Sequence, residues 1–310
     1  MGYDVIGDIH GHADKLTALL RKMGYRHHLG AWRHPERSAI FVGDFIDRGP
    51  GQLETIRIVR EMLDAGTAQA VMGNHEFNAI AWYTPDPESD GEHLRRRIPK
   101  NHKQHKAFLD EAENDSDLHR ELVGWFLTLP LWLDLPGLRV VHACWHPDYM
   151  AEIGPHLKPG RKLDPALVAA ASRRGTMEFR TVAALTKGLE IALPPGHEFH
   201  DKDGHARRDV RVRWWDTSAN TYRKAAILES TARGELPDTP IPEWALIGYA
   251  GPKPVFFGHY WFTGFPKPLT PNVACVDYSA GKGGPLVAYR WEGESELHCL
   301  ASTTFSGDDI

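Results

Sequence analysis

Short apolar runs recur along the chain, and each ends in a glycine and a polar residue or in a histidine. Five of these runs occupy residues 3–8, 38–44, 68–74, 137–143 and 253–259. Their length and their content of valine, isoleucine and phenylalanine are typical of buried strands. A helical pattern follows each of the first three runs, and the first two of these patterns carry an apolar stripe. Strand, turn and helix in repeated succession predict βαβ units and a mostly parallel sheet.

The pattern breaks down over residues 84–118, where charge replaces apolar periodicity. Residues 93–106, HLRRRIPKNHKQHK, are basic, and residues 110–117, DEAENDSD, are acidic. The two blocks nearly cancel. We therefore interpret the segment as a solvated helical excursion, with binding of a phosphate-rich partner as the alternative.

The second half of the chain is less regular. Residues 148–250 mix helical stretches, strand-like alternation and a stretch rich in proline and glycine, without a clean boundary. We predict one domain over residues 1–310, with insertions near 84–118 and 148–250. From residue 272 onward, three strand-like runs are expected to pair antiparallel.

Composition narrows the class of protein. The chain has 310 residues, of which 42% are hydrophobic and 25% charged, a balance typical of globular proteins. A net charge of −5 favours neither nucleic acid nor an anionic membrane as a partner. No apolar run is long enough to span a bilayer, and the N-terminus lacks the features of a signal peptide. Cys144, Cys275 and Cys299 are predicted to be buried thiols, which together with the N-terminus predicts a cytoplasmic protein. Nothing in the sequence indicates the oligomeric state.

Polar side chains of metal-binding type are found at the ends of the five predicted strands. They are Asp8, His10, Asp44, Asn74, His142 and His259. In a parallel sheet the carboxyl ends of neighbouring strands line one crevice, so residues far apart in sequence can meet there. Oxygen and imidazole ligands suit manganese, iron, zinc or nickel rather than a structural zinc held by thiolates. Six ligands exceed what one catalytic zinc needs, so we predict two divalent cations, with manganese as the first choice.

The motifs that carry these residues also define a resemblance. They are GDIHG (7–11), GDFIDRG (43–49), GNHE (73–76), VHA (141–143) and FFGHY (256–260). In this order they resemble the calcineurin-like metallophosphoesterases, and they look closest to the PPP-type serine/threonine phosphatases and their bacterial relatives, which include diadenosine tetraphosphate hydrolases. The resemblance implies an α/β fold, a two-sheet α-β-β-α sandwich.

The resemblance also implies a role for each motif residue. Asp8 and His10 would bind one metal ion, Asp44 would bridge two ions, and Asn74, His142 and His259 would bind the second. His75 would be the general acid, Asp47 would hold it, and Arg48 would bind phosphate. General chemistry agrees, since histidine titrates near neutral pH and a guanidinium clamps phosphate oxygens bidentately. Glu76 is expected to be a hydrogen-bond acceptor or a helix N-terminal charge.

These roles predict metal-dependent hydrolysis of a phosphoric monoester by a hydroxide that bridges the two ions. The first interpretation is a serine/threonine-type protein phosphatase. The alternative is a symmetrical diadenosine tetraphosphate or nucleotide hydrolase. A nucleic-acid end phosphatase and a non-catalytic binding module with the same fold are weaker alternatives. The expected partner is accordingly a phosphorylated substrate, either a phosphoprotein or a nucleotide.

Some residues are left open by the motifs. The family has a second phosphate-binding arginine, and Arg180, Arg211 and Arg213 are the candidates here. Many relatives continue the last motif with a second histidine, but Tyr260 and Trp261 follow His259 in this chain. The first ion would then have fewer protein ligands and be held more weakly. Four further residues are expected to have structural or surface roles, namely His12, His146, Trp214 and Trp215.

Overall fold

The computed structural model describes residues 2–200, 206–228, 230–298 and 304–306. Two β-sheets lie face to face, with helices against their outer faces. The strands are Gly2–Ile6 (β1), Arg26–His28 (β2), Ala31–Arg33 (β3), Arg37–Phe41 (β4), Ala68–Ala70 (β5), Trp132–Asp134 (β6), Arg139–Val141 (β7), Glu190–Ala192 (β8), Phe199–His200 (β9), Ala206–Arg207 (β10), Asp209–Arg211 (β11), Val255–Phe257 (β12), Val273–Cys275 (β13), Val287–Trp291 (β14) and Thr304–Ser306 (β15).

The helices follow the strands along the chain. They are Ala13–Lys22 (α1), Gln52–Asp64 (α2), Asn74–Tyr83 (α3), Pro99–Ala112 (α4), Asp117–Phe126 (α5), Pro147–Ile153 (α6), Pro165–Ala171 (α7), Met177–Lys187 (α8), Tyr222–Ala225 (α9) and Ser230–Gly234 (α10), with 3-10 turns at Gly154–His156, Glu243–Ala245 and Ala280–Lys282. Helices α1, α2 and α3 confirm the helices predicted after the first three strands; α1 and α2 are amphipathic, whereas α3 is buried on most of its surface. None of the helices in the described part of the chain combines the length and apolar character that a membrane-spanning segment needs.

The first sheet has the strand order β15-β14-β1-β4-β5. Strands β1, β4 and β5 run parallel, whereas β14 is antiparallel to both of its neighbours. The second sheet has the order β13-β12-β7-β6, with β6 antiparallel and the other three strands parallel. Three short antiparallel pairs complete the strands: β2 with β3, β8 with β11, and β9 with β10.

Alternating burial shows that the two sheets form a sandwich. Val5 and Ile40 of the first sheet share one apolar cluster with Val140 and Phe256 of the second. The apolar residues next to them in sequence belong to a separate cluster, which includes the helices. Each strand therefore buries one face against the other sheet and one against helices, and each such side chain contributes roughly 1.5–3 kcal/mol. The predicted two-sheet α/β fold is confirmed.

All five strands that precede the polar residues end earlier than predicted. They end at Ile6, Phe41, Ala70, Val141 and Phe257. The polar residues consequently lie in loops just beyond the strands. Glycine permits these early turns: Gly43 has φ +98°, and a Cβ on Gly7 would lie 2.0 Å from the carbonyl oxygen of Val276.

The insertion at 84–118 is helical and largely exposed, as predicted, but one face of its helix α4 is buried. Helix α4 buries Phe108 completely. The Glu111 carboxylate accepts the backbone N–H groups of Gln52 and Leu53 at 2.9 and 3.0 Å, and so caps the first turn of α2. The charge pattern did not reveal this buried face, because the apolar residues run through the charged block at helical spacing.

The C-terminal strands differ from the predicted antiparallel set. Strand β13 pairs parallel with β12 in the second sheet, and β14 pairs antiparallel with β1 in the first. The long connection over residues 258–272 allows the crossover that a parallel pair requires. The run predicted at 296–302 is not a strand over residues 296–298, and the rest of it lies outside the described residues.

The insertion at 148–250 packs into the same core as the motif strands. Helices α7 and α8 are separated near Gly175, which has φ +94°. Trp214 and Trp215 are buried, and the Trp214 Nε1–H donates to the carbonyl oxygen of Ala143 at 3.0 Å. Both tryptophans therefore have the core role expected of them.

The predicted buried thiols are found where the structure describes them. Cys144 and Cys275 are buried free thiols, as expected, and Cys299 lies outside the described residues.

Candidate metal centre

The loops that follow the strands have unusual backbone conformations. Eleven non-glycine residues in the described chain have positive φ, and six of them belong to these loops: His10, Asp44, Asp47, Arg48, His259 and Trp261. Such conformations are uncommon for residues with a side chain and cost about 1–3 kcal/mol each. This concentration of backbone strain marks the loops as a functional region.

Ligand atoms of His10, Asp44 and His75 lie within 4.8 Å of one another and form one cluster, and the charge of Asp44 acts on the neighbouring Asp8. The ring of His10 is oriented by Nδ1, which lies 3.0 Å from the carbonyl oxygen of Ile46. This leaves Nε2 of His10 at 3.7 Å from Asp44 Oδ2. Asp8 Oδ2 accepts the backbone N–H of His259 at 2.9 Å, so that Asp8 Oδ1 remains available.

A second cluster joins Asp44 to Asn74, His142 and His259. His142 Nδ1 lies 2.7 Å from the carbonyl oxygen of Val42. Its Nε2 is 3.3 Å from Asn74 Oδ1 and 3.4 Å from Asp44 Oδ2. Ligand atoms of Asp44, His142 and His259 all lie within 4.8 Å of one another. The six predicted ligand residues are thus brought together, with Asp44 common to both clusters.

Asp44 has the charge that a central ligand requires. Burial acts to raise the pKa of Asp44, but the charges of His142 and His75 outweigh burial and hold that pKa well below its usual value. The backbone N–H of His75 also donates to Asp44 Oδ1 at 3.0 Å. Asp44 is therefore an ionised carboxylate surrounded by imidazoles.

The donor atoms of both clusters fit divalent cations. Asp8 Oδ1, His10 Nε2 and His259 Nε2 are buried without a hydrogen-bond partner among the described residues. Buried polar atoms rarely remain unpaired, because their desolvation is costly. Burial and the neighbouring His75 lower the pKa of His10 to about 3, and burial lowers the pKa of His259 well below its usual value. Both rings are consequently neutral, which is the form that binds a metal.

Two further carboxylates hold the loops in place. Glu76 accepts the backbone N–H groups of Asp44, Phe45 and Gly73 at 2.8–2.9 Å, so its expected acceptor role is observed. Asp277 accepts the N–H of Trp261 at 2.6 Å. Burial raises the pKa of Asp277 to about 6 and that of Glu76 to about 7. Both carboxyl groups thus bind a proton more readily than an exposed carboxyl group would.

The predicted acid and its partner form a close pair. His75 Nδ1 lies 2.5 Å from Asp47 Oδ2, and the Asp47 side chain is almost completely buried. Burial acts to lower the pKa of His75, but the carboxylates of Asp44 and Asp47 raise it above its usual value. This ring can therefore carry a proton near neutral pH, in contrast to His10 and His259.

The sequence analysis missed His105, which contacts the other side of Asp47. His105 Nδ1 lies 2.9 Å from Asp47 Oδ1. Burial acts to raise the pKa of Asp47, but its hydrogen bonds to His105 and His75 hold it well below its usual value. The missed signal is the spacing of His105 with Phe108, Leu109 and Ala112, which places all four on the buried face of α4.

A cavity of about 180 Å³ opens onto these groups and is lined by Asp44, His75 and Arg48. The Arg48 guanidinium lies 5.5 Å from the ring centre of Trp261, and that ring stacks on His10 at 5.1 Å. The insertion contributes Arg95, Gln104 and His105 to the cavity wall. A phosphate-sized group can therefore reach the clusters, His75 and Arg48 together.

Among the arginines left open by the motifs, Arg211 is the one whose charge acts on a residue of the clusters. Its charge is among the causes that lower the pKa of His259. Arg180 instead pairs with Glu152 at 2.8 Å, and Arg213 lines cavities elsewhere. Arg211 therefore stays a candidate for a second phosphate contact, but it pairs with Glu190 at 3.4 Å and is not among the residues that line the cavity.

The two remaining histidines have the peripheral positions expected of them. His12 precedes helix α1, and its Nδ1 lies 4.0 Å from a carboxylate oxygen of Asp14. His146 precedes helix α6 and stacks on Tyr149 at 3.7 Å.

A two-sheet α/β sandwich with clustered carboxylate, amide and imidazole groups beyond its strands defines a metallohydrolase class. More particularly, the chain belongs to the calcineurin-like phosphoesterase family, whose family model matches residues 1–156, half of the chain. Members of this family are hydrolases that act on phosphoesters.

Similar proteins include two kinds of nucleotide hydrolase. The asymmetrical bis(5'-nucleosyl)-tetraphosphatase PrpE of Halalkalibacterium halodurans is 49% identical over 76 residues, which cover 24% of this chain and 31% of that protein. The symmetrical bis(5'-nucleosyl)-tetraphosphatase of Pectobacterium atrosepticum is 23% identical over 311 residues, which cover 98% of each chain. The chain spans about a third of the length of the first curated relatives that it matches.

Solved structures share the fold at low identity. A protein serine/threonine phosphatase from Saccharomyces cerevisiae, with similarity to human phosphatase PP5, is 14% identical with a TM-score of 0.50. The match covers 100% of this chain and 80% of that one. At this level of identity the similarity concerns the fold alone.

Proposed function

We propose that this protein hydrolyses phosphoric esters or anhydrides with two divalent cations. Asp8 and His10 would hold one cation, Asn74, His142 and His259 the other, and Asp44 both. The strongest support is the set of buried, unpartnered ligand atoms on Asp8, His10 and His259, which lie around an ionised Asp44. When bound, such cations acidify water and polarise phosphoryl oxygens.

The protein's own residues would supply the proton and the phosphate contact. Hydrolysis joins a water oxygen to phosphorus and breaks the bond from phosphorus to the leaving oxygen. His75 Nδ1 is engaged by Asp47, so Nε2 is the atom that would donate a proton to that leaving oxygen. Arg48 lines the same cavity, and its guanidinium matches two phosphate oxygens.

Manganese is the metal that we propose first, with iron, zinc and nickel as alternatives. The ligand set contains carboxylate, amide and imidazole groups and no thiolate, which suits all four metals. Metal-free protein reloaded with each cation would rank them by turnover. A clear maximum with a cation outside this group would contradict the proposal.

We place a dinucleoside tetraphosphate first among the substrates. The names of the relatives from Halalkalibacterium and Pectobacterium support this choice. The phosphoserine or phosphothreonine ester that the sequence analysis placed first remains the second candidate. The close pair of His75 and Asp47 favours it, because a serine or threonine alkoxide is a poor leaving group that needs an acid.

A substrate panel tests the proposal. Diadenosine tetraphosphate, a phosphopeptide, 4-nitrophenyl phosphate and its bis-aryl diester would be compared with Mn²⁺, using the wild type and Asp44→Asn. We expect turnover of the tetraphosphate, and we expect the variant to lose nearly all activity. Undiminished turnover by Asp44→Asn would exclude the proposed site. Faster cleavage of the diester than of the monoester would exclude the phosphomonoester alternative.

A further inference from the structure

A second cavity adjoins the one that opens onto the clusters. Its volume is about 160 Å³, and it lies between α3, α8 and the part of the 84–118 insertion that precedes α4. Asn78 and Arg95 line both cavities, so the two spaces meet at these side chains. Together the cavities reach the lower end of the roughly 300–1,000 Å³ that small-molecule sites occupy.

Two cations at this junction lack a carboxylate partner among the described residues. The Arg95 guanidinium donates to the neutral oxygens of Asn78 and Gln104, at 2.9 and 2.7 Å. The Lys187 ammonium lies 6.0 Å from the ring centre of Phe77, and it forms no ion pair with any residue that the structure describes. Burial and the charge of Arg95 lower the pKa of Lys187 to about 8, although the carboxylates of Glu190 and Asp44 act to raise it.

Neighbouring arginines show that unpaired cations are not the rule in this region. Arg97 pairs with Asp115 at 2.5 Å, and Arg173 pairs with Asp86 at 2.7 Å. Half-buried cations held next to each other without a carboxylate are unfavourable unless an anion joins them. The anion that fits is a phosphate, since an arginine and a lysine together offer both bidentate and single contacts.

The rest of the second cavity is apolar. Its walls include Phe77, Leu94, Phe179 and Val182. A phosphate alone would leave these walls in contact with water. An apolar, flat group attached to the phosphate would cover them, and an aromatic edge such as Phe77 or Phe179 suits a planar ring.

We propose that this cavity binds a second phosphate, on Arg95 and Lys187, and a nucleobase, on the apolar walls, of a nucleoside polyphosphate whose scissile phosphate lies at the metal clusters. The inference rests on the proposed function and specifies its substrate class. It assigns substrate choice to residues of the two insertions, whereas the motif residues carry out the hydrolysis.

Replacing Lys187 gives the sharpest test, because Lys187 lines the second cavity and not the first. Lys187→Met is compared with Lys106→Met, which removes an exposed charge from α4. We expect Lys187→Met to lower the ratio of kcat/KM for diadenosine tetraphosphate to that for 4-nitrophenyl phosphate at least tenfold. Lys187→Arg should restore most of this ratio, and Lys106→Met should leave it unchanged. An unchanged ratio in Lys187→Met would overturn the proposal.

Binding without turnover separates this inference from the proposed function. Adenosine 5'-tetraphosphate and inorganic tripolyphosphate would be titrated by calorimetry into metal-free protein. We expect Lys187→Met to weaken both ligands at least tenfold, and Ala183→Leu, which fills the apolar side, to weaken only the nucleotide. Loss of hydrolysis with Lys187-dependent binding would refute the function and keep the subsite. If the protein hydrolyses the substrate but Lys187→Met binds both ligands as tightly as the wild type, the subsite is refuted. If Ala183→Leu weakens both ligands equally, the assignment of the apolar walls to a nucleobase is refuted.

Discussion

The pair of Asp47 and His75 makes a quantitative prediction about proton transfer. Asp47 accepts from two imidazole rings, at 2.5 Å from His75 and at 2.9 Å from His105. In Asp47→Asn the side chain keeps one accepting oxygen, so one ring loses its partner and the charge beside His75 disappears. A hydrogen bond to a charged group contributes about 1.5–3 kcal/mol. If that interaction supports the protonated His75 in the transition state, kcat should fall about 10- to 150-fold.

The loss should depend on the leaving group. An alkyl phosphate needs a proton on its leaving oxygen, whereas 4-nitrophenolate leaves without one, so its kcat should fall only about two- to threefold. His105→Asn is the matched control, because it removes one hydrogen bond but keeps the carboxylate beside His75. We expect His105→Asn to lower kcat for the alkyl substrate by less than Asp47→Asn does. Equal losses on both substrates in Asp47→Asn would refute the acid role of His75.

Three other predictions are measured by stability, and one of them also by activity. Mn²⁺ should raise the melting temperature of the wild type, because a cation relieves repulsion among the buried carboxylates. Asp44→Asn should abolish this increase in melting temperature. An equal increase in both proteins would contradict the assignment of Asp44 as a ligand. Gly258→Ala should lose both activity and the Mn²⁺ shift, because its Cβ would lie 2.0 Å from Asp8 Oδ1. Gly124→Ala, which meets nothing within 4 Å in helix α5, should keep both and gain about 0.5–1 kcal/mol; similar behaviour of the two variants would count against the tight packing at Gly258. Burial lowers the pKa of Lys187 from 10.5 to about 8, so charging it opposes folding below pH 8, and stability should rise between about pH 8 and 10.5. Lys187→Met should raise the free energy of unfolding at pH 7 by about 1–3 kcal/mol, and the stability of the variant should no longer increase between about pH 8 and 10.5. Chemical unfolding at pH 7 and 9.5 measures both effects. A variant no more stable than the wild type at pH 7 would argue against a buried charge at Lys187.

The sequence predicted the site best where a single short motif marks the end of a strand. A glycine followed by aspartate or asparagine after a short apolar run located the loops of Asp8, Asp44 and Asn74. The topology rule for parallel strands then brought those loops together, as the structure shows. Strand ends were placed too late, because an apolar run does not reveal where the backbone turns into a left-handed conformation.

Features that depend on packing between distant segments could not be predicted in this way. The direction of β13 follows from where its crossover passes, and short apolar runs carry no information on direction. The choice among the candidate arginines depends on which one approaches His259. The role of His105 was not recognised in the sequence, because its charged sequence neighbours, which lie on the opposite face of the helix, dominate the pattern.

The position of His105 has a consequence for how the insertions and the reaction are connected. The insertion at 84–118 supplies Arg95 to the junction of the two cavities, and it also supplies the imidazole that holds the far oxygen of Asp47. Its Glu111 caps the helix that begins just after the loop of Asp47. The same segment would therefore contact the proposed substrate, and it also holds the carboxylate that raises the pKa of His75. Exchanging it for the shorter loop of another phosphoesterase should alter proton transfer as well as substrate choice, because His75 would lose part of the support for its partner.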